Sequence, residues 1–230
     1  MLAAAVEAKL PVAQVFHTQD TPLPESIERR LAASTELFSV EQRTMASLAQ
    51  TKTPQGTVAV LPFLDRKLED LAALLPPDRA ALVLVLHDLS DPGNAGTLLR
   101  SAEAFGAAAV CFGAHAVEPY NDKVVRASMG SLLRIPIVRY GEWPEFRRSA
   151  VENGLQLVAA DAAGQDVRAV TVPRRVALLI GQERRGVRDV PAQDLHATVA
   201  LPQRASVESV NAAVAGSILL YEFARAQGLL

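Results

Sequence analysis

The feature that most constrains the fold of this 230-residue chain is the apolar run ALVLVLHDL, residues 81 to 89, together with the polar turn that follows it. A continuous apolar run without alternation predicts a strand buried on both faces, as in a parallel sheet covered by helices. The next stretch, DPGNAGTLLRSAEAFG at 91 to 106, carries Pro and Gly and then apolar residues at helical spacing. A strand that turns directly into a helix places the turn at the edge where parallel sheets bind ligands.

Strands and helices continue to alternate through the rest of the chain, which predicts an α/β fold with a parallel sheet covered on both faces. The predicted strands lie in AAAVCFG, SMGSLLRIPIV (an edge strand), LQLVAAD, RVALLIG and HATVALP, and the predicted helices span 123–127, 143–152 and 207–227. The last helix is entered through Ser206 and Ser209, either of which suits an N-cap position.

The N-terminal part has shorter elements and predicts a separate small α/β unit. Helices are predicted at 2–9, 25–33 and up to about 48, and strands at 12–16, 36–38 and 57–61. Ser39 and Gln42 have the spacing of a capping box for the third helix. Because the unit opens on a helix, its sheet is expected to lack a leading strand. Pro76 and Pro77 end a short helix, so we predict a trimmed N-terminal domain at 1–62, a linker at 63–79 and a second domain at 80–230.

Composition narrows the class of protein. Hydrophobic residues make up 50% of the chain, which is ample for a packed core, and a net charge of −2 argues against a strongly basic coating for nucleic acid. Residues 81–230 nevertheless carry equal numbers of basic and acidic side chains, and every basic one except Lys123 is arginine. Arginine suits bidentate phosphate contacts, so a local RNA-binding face is compatible with this charge, as are ordinary solvated arginines.

Other compositional features point to an intracellular, metal-free protein. The single cysteine, Cys111, lies in an apolar run and is interpreted as a buried hydrophobe. The four histidines lack metal-ligand spacing, and no apolar run approaches the ~18 residues of a membrane span. A cytoplasmic protein is therefore predicted, with no metal and no membrane partner.

Three polar loops follow predicted strands, at 88–96, 181–188 and 201–211, and are expected to surround one site. In the first, Asn94, Gly96 and Arg100 are expected along one edge of the helix, facing one cleft. In the second, GQERRG, two glycines flank the carboxylate of Glu183, which also suits an ordinary tight turn. The chain has no Walker-type loop, no GxGxxG turn and no nucleophile elbow, so nucleotide hydrolysis, dinucleotide binding and serine hydrolysis are not favoured.

Together these loops resemble a known family. The segments DPGNAGTLLRSAEAFG, LLIGQERRGV and LPQRASVESVNAAVAGSILLYEF resemble motifs 1, 2 and 3 of the SpoU (TrmH-type) family of SPOUT RNA ribose 2′-O-methyltransferases, in the same order and spacing. PYNDKVVRASMGSLLRIPIV resembles the family's middle segment, and residues 12–60 resemble its ribosomal-protein-like substrate-binding domain. The resemblance implies a parallel-sheet SPOUT domain with a deep trefoil knot, preceded by a small α/β RNA-binding domain. It further implies bound S-adenosylmethionine and a homodimer whose active site is completed across the knot interface.

The resemblance also assigns residues. Arg100 matches the family's catalytic arginine, and the other polar site residues are Asn94, Glu183, Ser209 and Asn211. The backbone of Gly181, Leu201 and Val210 would hold the cofactor. The chain departs from the family pattern at Arg184, which replaces the second glycine of motif 2, at Val210 and Ala212 in motif 3, and in its short N-terminus.

The implied reaction is methylation of a ribose 2′-hydroxyl in RNA, with ribosomal RNA preferred to transfer RNA because family members with such an N-terminal domain mostly act on ribosomal RNA. Because a guanidinium is a very weak acid that stays protonated in proteins, we expect Arg100 to clamp a phosphate and stabilise the developing alkoxide rather than act as a base. Arginines at 126–148, with Arg184, Arg185 and Arg188, are further candidates for phosphate contacts. Two alternatives are a catalytically silent RNA-binding protein on the same fold, and a small-molecule- or phosphate-binding α/β protein whose motif match is coincidental.

Overall fold

The computed structural model describes residues 1–49, 55–182, 185–187, 189–204, 206 and 209–230. These residues form two units, Met1–Leu64 and Asp65–Leu230, each described here by itself. The boundary divides the predicted linker, because residues from Asp65 onward belong to the second unit. Leu71 and Leu75 are buried in the core of that unit, which explains why this stretch is part of it.

The first unit is a three-stranded sheet with helices, in the element order that the sequence predicts. Its central strand β1 (Gln14–Thr18) runs parallel to β2 (Glu36–Val40) and antiparallel to β3 (Thr57–Val60). Val15 of β1 and Met45 are fully buried at its core. The helix predicted to reach residue 33 ends at Glu28 and continues as turns with i→i+3 bonds, from Arg30 N–H to Ile27 O and from Leu31 N–H to Glu28 O. The elements are α1 (Leu2–Glu7), β1 (Gln14–Thr18), α2 (Glu25–Glu28), β2 (Glu36–Val40), α3 (Gln42–Leu48) and β3 (Thr57–Val60).

The predicted capping box at Ser39 and Gln42 is wrong. Ser39 lies in β2, where it pairs with His17 of β1, so its backbone is committed to the sheet. Helix α3 begins at Gln42 with Glu41 at the N-cap position, and no side chain caps it.

The second unit contains six strands, β4 (Ala81–Leu86), β5 (Ala109–Phe112), β6 (Ile137–Arg139), β7 (Gln156–Asp166), β8 (Arg175–Ile180) and β9 (Ala197–Ala200). They form one sheet in the order β6-β5-β4-β8-β7-β9, and every neighbouring pair is parallel. This confirms the predicted parallel α/β architecture and places β6 at one edge, as expected. The helices are α4 (Leu71–Leu74), α5 (Pro92–Ala104), α6 (Asp122–Ala127), α7 (Trp143–Glu152) and α8 (Ala212–Gln227), with short 3₁₀ turns that include Ser131–Leu133.

Strand β4 is buried on both faces, which is what its continuous apolar sequence predicts. Leu82, Leu84 and Leu86 pack into a cluster with α5 and α8, whereas Val83 and Val85 pack into a second cluster with α4 and α7. Each buried leucine side chain stabilises the fold by about 1.5–3 kcal/mol relative to exposure. Burial among these apolar groups also raises the pKa of the Cys111 thiol in β5, so this cysteine behaves as a core hydrophobe. Within the described ranges, none of the helices combines the length and apolar character needed to span a bilayer.

Strand β7 is longer than predicted and pairs twice with β9. Ala160 lies opposite Val199 in the first register, and after an irregularity Gln165 also lies opposite Val199. The intervening Gly164 passes so close to β9 that a Cβ atom there would lie 2.7 Å from backbone atoms of Thr198 and Val199. Only glycine therefore fits at this crossing.

Helix α8 begins at Ala212, and Ser209 and Val210 lie outside it. The N-cap is Asn211, whose Oδ1 accepts hydrogen bonds from the N–H groups of Ala213 at 2.9 Å and Val214 at 3.2 Å. The expectation that Ser206 or Ser209 caps the helix is therefore wrong.

Candidate active site

The first and third loops meet through two asparagine side chains. Asp91 caps α5 by accepting a 2.7 Å hydrogen bond from the N–H of Asn94, which places Asn94 in the first turn. The Nδ2 of Asn211 donates a 3.0 Å hydrogen bond to the Oδ1 of Asn94. Since the Oδ1 of Asn211 caps α8, a single side chain ties the beginnings of α5 and α8 together.

A second polar contact joins the same two helices. The Ser217 hydroxyl donates to Ala213 O at 2.6 Å, so its Oγ is left to accept from the Ser101 hydroxyl at 2.7 Å. The helices are also in close contact at Gly216, where a Cβ atom would lie 2.6 Å from Cδ2 of Leu98. Helix α5 is therefore held against α8 by hydrogen bonds and by tight packing.

Arg100 lies on a different face of α5 from Asn94. Six residues along a helix correspond to about 600°, or 240° around the axis, so the two side chains diverge. Asn94 is buried and Arg100 is exposed. The expectation that Asn94, Gly96 and Arg100 share one edge is wrong for Asn94. Gly96 and Arg100 do share a face, and Gly96 contacts α6, because a Cβ atom there would lie 2.4 Å from the Cβ of Ala127.

The second and third loops enclose a cavity of about 340 Å³. Four residues assigned by the family resemblance line it, namely Gly181, Leu201, Ser209 and Val210. The others in its described lining are Ala160, Asp161, Ala162, Ile180, Gln182, Arg185, Gly186, Val199, Ala200, Gln203, Ala212, Ala215 and Leu219. Most are small or aliphatic, which suits a flat ring system, and Asp161, Arg185 and Gln203 add polar groups.

The second loop closes on itself at this cavity. Gln182 and Gly186 exchange backbone hydrogen bonds, with N···O distances of 3.0 and 2.7 Å. A Cβ atom at Gly181 would lie 2.0 Å from the carbonyl oxygen of Gly186, so position 181 requires glycine. Gly186 itself has a φ of +61°, a conformation that also favours glycine. The two glycines thus let the backbone form one wall of the cavity.

Helix α8 connects the cavity to α5. Ala212, Ala215 and Leu219 line the cavity, while Gly216 and Ser217 contact α5. A third face of α8 leaves Val214, Ile218 and Tyr221 exposed, at 47%, 43% and 42%. One helix therefore forms a wall of the cavity, a support for α5 and an apolar outer surface.

The structure brings the predicted site residues together in two groups. Asn94 meets Asn211, and Gly181, Leu201, Ser209 and Val210 share the cavity. Arg100 is not among the described residues that line the cavity. Glu183, Arg184 and Arg188 lie outside the described residues, so the expectations for them stay predictions.

Sequence reasoning missed Asp161, a carboxylate in the cavity lining. Its Oδ1 accepts a 2.9 Å hydrogen bond from the Ala163 N–H, and a Cβ atom on Gly186 would lie 3.0 Å from its Oδ2. The signal was an Asp directly after the apolar run LVAA in β7. The sequence predicts this Asp at the end of a strand, where it resembles any polar residue that follows an apolar run. Strand β7 in fact continues to Asp166, and only the folded chain shows that Asp161 lines the cavity.

His87, at the end of β4, lies on the α7 side of the sheet. Its Nδ1 is hydrogen-bonded to the Tyr140 hydroxyl at 2.9 Å, and its ring contacts Trp143 edge-on. Burial is the main cause that lowers the pKa of His87, and Asp88 and Asp189 oppose the shift. The ring is therefore neutral near pH 7 and is interpreted as part of the support beneath the first loop. Among the described residues, no group of three or more His, Cys, Asp or Glu side chains is arranged to hold a metal ion.

Known proteins are similar to this chain in sequence and in fold. Residues 81–221 match the model of the SpoU rRNA Methylase family. The chain is 35% identical over 206 residues to an uncharacterized tRNA/rRNA methyltransferase of Synechocystis sp., covering 89% of this chain and 73% of that protein. It is 32% identical to the 23S rRNA (uridine(2479)-2′-O)-methyltransferase of Streptomyces viridochromogenes, covering 97% and 79%.

A solved structure has the same architecture over the whole chain. The AdoMet-bound rRNA methyltransferase from Sinorhizobium meliloti superimposes with a TM-score of 0.85 at 28% identity, covering 100% of this chain and 85% of that one. The family match spans more than half of the chain and includes the cavity and both asparagines. The chain therefore belongs to the SpoU rRNA methylase family.

Proposed function

We propose that this protein transfers a methyl group from S-adenosylmethionine to a ribose 2′-hydroxyl in ribosomal RNA. The observation that carries the proposal is the shared helix α8, which lines the cavity on one face and holds the Arg100 helix on another. Relatives from Streptomyces viridochromogenes and Bacillus subtilis are named as 23S rRNA 2′-O-methyltransferases, and they match over nine-tenths or more of this chain. Ribosomal RNA is accordingly preferred to transfer RNA.

The cavity residues fit S-adenosylmethionine. The backbone of Gly181, Leu201 and Val210 would hold it, and the small side chains of Ala212 and Ala215 leave room beside α8. The lining carries one carboxylate, Asp161, and one guanidinium, Arg185, which together suit a ligand that has both an ammonium and a carboxylate group. When bound, S-adenosylmethionine supplies a methyl group on a positively charged sulfur.

Arg100 would act on the RNA. Its guanidinium offers a planar set of cationic donors that matches a phosphate. Clamping the phosphate beside the target ribose would hold the 2′-hydroxyl in line, and the same positive charge would stabilise the oxygen as its proton leaves. The Asn94–Asn211 pair would position the loop that carries Arg100, and Glu183 and Ser209 would contribute further polar groups.

A second copy of the chain would complete the site. Arg100 is exposed on α5, and the neighbouring α8 presents the apolar row Val214, Ile218 and Tyr221. Contact between these surfaces in a homodimer would bury the apolar row, which is favourable in water. It would also carry Arg100 toward the cavity of the partner chain. Light scattering of the purified protein tests this directly, since a monomer would contradict it.

We assign the second and third loops to a deep trefoil knot. The double pairing of β7 with β9, with Gly164 packed against the backbone of β9, supports this assignment. We assign the first unit, including the predicted domain 1–62, to recruitment of the RNA.

The function is tested by incubating the 230-residue protein with S-adenosylmethionine carrying a tritiated methyl group and unmodified 23S rRNA or transfer RNA transcripts. We expect label in the 23S rRNA, at one nucleotide whose 3′ linkage resists alkaline hydrolysis because its 2′-oxygen is methylated. Calorimetry measures cofactor binding separately. If the protein bound RNA but not S-adenosylmethionine, it would be a silent RNA-binding member of the fold.

A further inference from the structure

Met129 has a backbone conformation that methionine rarely adopts. Its φ is +49°, in the left-handed region, and its side chain is 69% exposed. Gly130 follows with a φ of +92°. The two residues turn the chain from α6 into the 3₁₀ turn Ser131–Leu133, and the serines on either side, Ser128 and Ser131, are buried. The turn is thus well anchored, but its apolar side chain points into solvent.

This turn lies beside Arg100. Gly96, Arg100 and Glu103 occupy one face of α5, since positions three, four and seven apart align. At one end of that face, a Cβ atom on Gly96 would lie 3.0 Å from Ser128 N. At the other end, Glu103 Oε2 accepts a 2.9 Å hydrogen bond from Arg134 Nη2. Arg100 lies between these two contacts along α5, so segment 127–134, which includes Met129, runs along the helix face that carries Arg100.

The local fold does not explain a methionine at this position. Glycine would adopt the same φ without strain, and an exposed thioether adds nothing to the core. A polarisable thioether packs well against aromatic rings, and unstacked nucleobases are the aromatic surfaces that RNA presents to proteins. We propose that Met129 is a specificity-determining residue that packs against the base of the target nucleotide, or the base adjoining it, while Arg100 holds the phosphate. This inference rests on the proposed function.

The test compares Met129→Gly, Met129→Ala and Met129→Leu. Asp78→Gly is the matched control, because Asp78 is an exposed turn residue with a φ of +48° outside this surface. The probe is an unmodified 23S rRNA transcript, with its Kd measured in the presence of S-adenosylhomocysteine and its KM and kcat measured by methyl transfer. Loss of one base-stacking contact should raise the Kd and KM for the transcript roughly tenfold in the Gly and Ala variants. The Leu variant should stay within about twofold of the parent, because an apolar side chain of similar size remains.

Other readouts separate base contact from a structural role. All variants should bind S-adenosylmethionine as the parent does, the two Gly variants should melt no lower than the parent, and Asp78→Gly should bind RNA normally. A Met129→Gly protein with parental Kd and KM for the transcript would overturn the proposal. So would a change from dimer to monomer in light scattering, since the side chain would then contact a second copy. If the parent bound the transcript without methylating it, the proposed function would fail, and the Kd series would still decide the role of Met129.

Discussion

The two sides of helix α5 are held in different ways. Toward α8 the helix is held by directional bonds, from Asn211 to Asn94 and from Ser101 to Ser217, in addition to the close packing of Gly216 against Leu98. Toward α6 it is held by steric contact, with Gly96 against Ala127. Hydrogen bonds fix the orientation of the helix, and the glycine contact fixes how closely it approaches α6. The combination shows how an exposed arginine can be placed accurately, because its backbone is held on two sides while its side chain stays available to a ligand.

The largest effect on methyl transfer is expected from removing the Arg100 side chain. Arg100→Ala should lower kcat for RNA methylation by roughly 10²–10³-fold, the usual cost of losing one group that stabilises transition-state charge. The melting temperature should stay unchanged because the side chain is exposed. Arg100→Lys keeps the charge but not the bidentate geometry, and near-normal turnover in that variant would contradict the phosphate clamp.

The steric contact between α5 and α6 is tested at Gly96. Gly96→Ala would place a Cβ atom 2.4 Å from the Cβ of Ala127, so α5 or α6 must move, at a cost of about 1–3 kcal/mol in the free energy of unfolding. Gly93→Ala is the matched control, because among the described residues its Cβ would meet no atom of another helix; the nearest atom would be the capping oxygen of α5 itself, Asp91 Oδ1, at 3.1 Å. Urea unfolding measures both. Equal stabilities in the two variants would show that the α5–α6 contact is not tight.

The hydrogen-bonded contact between α5 and α8 is tested at Asn211, whose side-chain Oδ1 and Nδ2 have different roles. Asn211→Ala removes the cap of α8 and should cost about 1–2 kcal/mol in unfolding free energy. Asn211→Asp keeps the capping oxygen but loses the N–H group that donates to Asn94. We expect the Asp variant to be more stable than the Ala variant and to be equally impaired in methyl transfer. Full activity in the Asp variant would show that the link to Asn94 is dispensable.

The smallest effect is expected at His87, on the far face of the sheet. Burial lowers the pKa of His87 in the folded state below its ordinary value of 6.5, so the unfolded chain binds the proton more readily. Its contribution to stability is therefore complete above about pH 6.5 and is lost as the pH falls below that value toward the folded pKa. His87→Gln should weaken this pH dependence in urea titrations between pH 7.5 and 5.5, with little change in methyl transfer at pH 7.5. A profile as steep as that of the parent would exclude His87 as its source.

The strands and most helices were predictable because their signals are local. Burial on both faces of β4 follows from ALVLVLHDL, and helix α7 occupies the predicted residues. Errors arose where tertiary contacts overrode local preference. Ser39 is paired in β2 rather than capping α3, and Asn211 rather than a serine caps α8 because its amide can also reach Asn94.

The chemical identity of the candidate site was determined by sequence, since the order and spacing of its three loops carry the family pattern. Which residues meet was decided only by the tertiary structure. The distance from Asn94 to Asn211 depends on how α5 and α8 pack, and the cavity depends on the backbone of Gly181 passing against Gly186. Asp161 lies in that cavity because β7 runs alongside β9. The contact between Asn94 and Asn211 joins residues far apart in the chain, and all of these contacts depend on close packing that no local periodicity encodes.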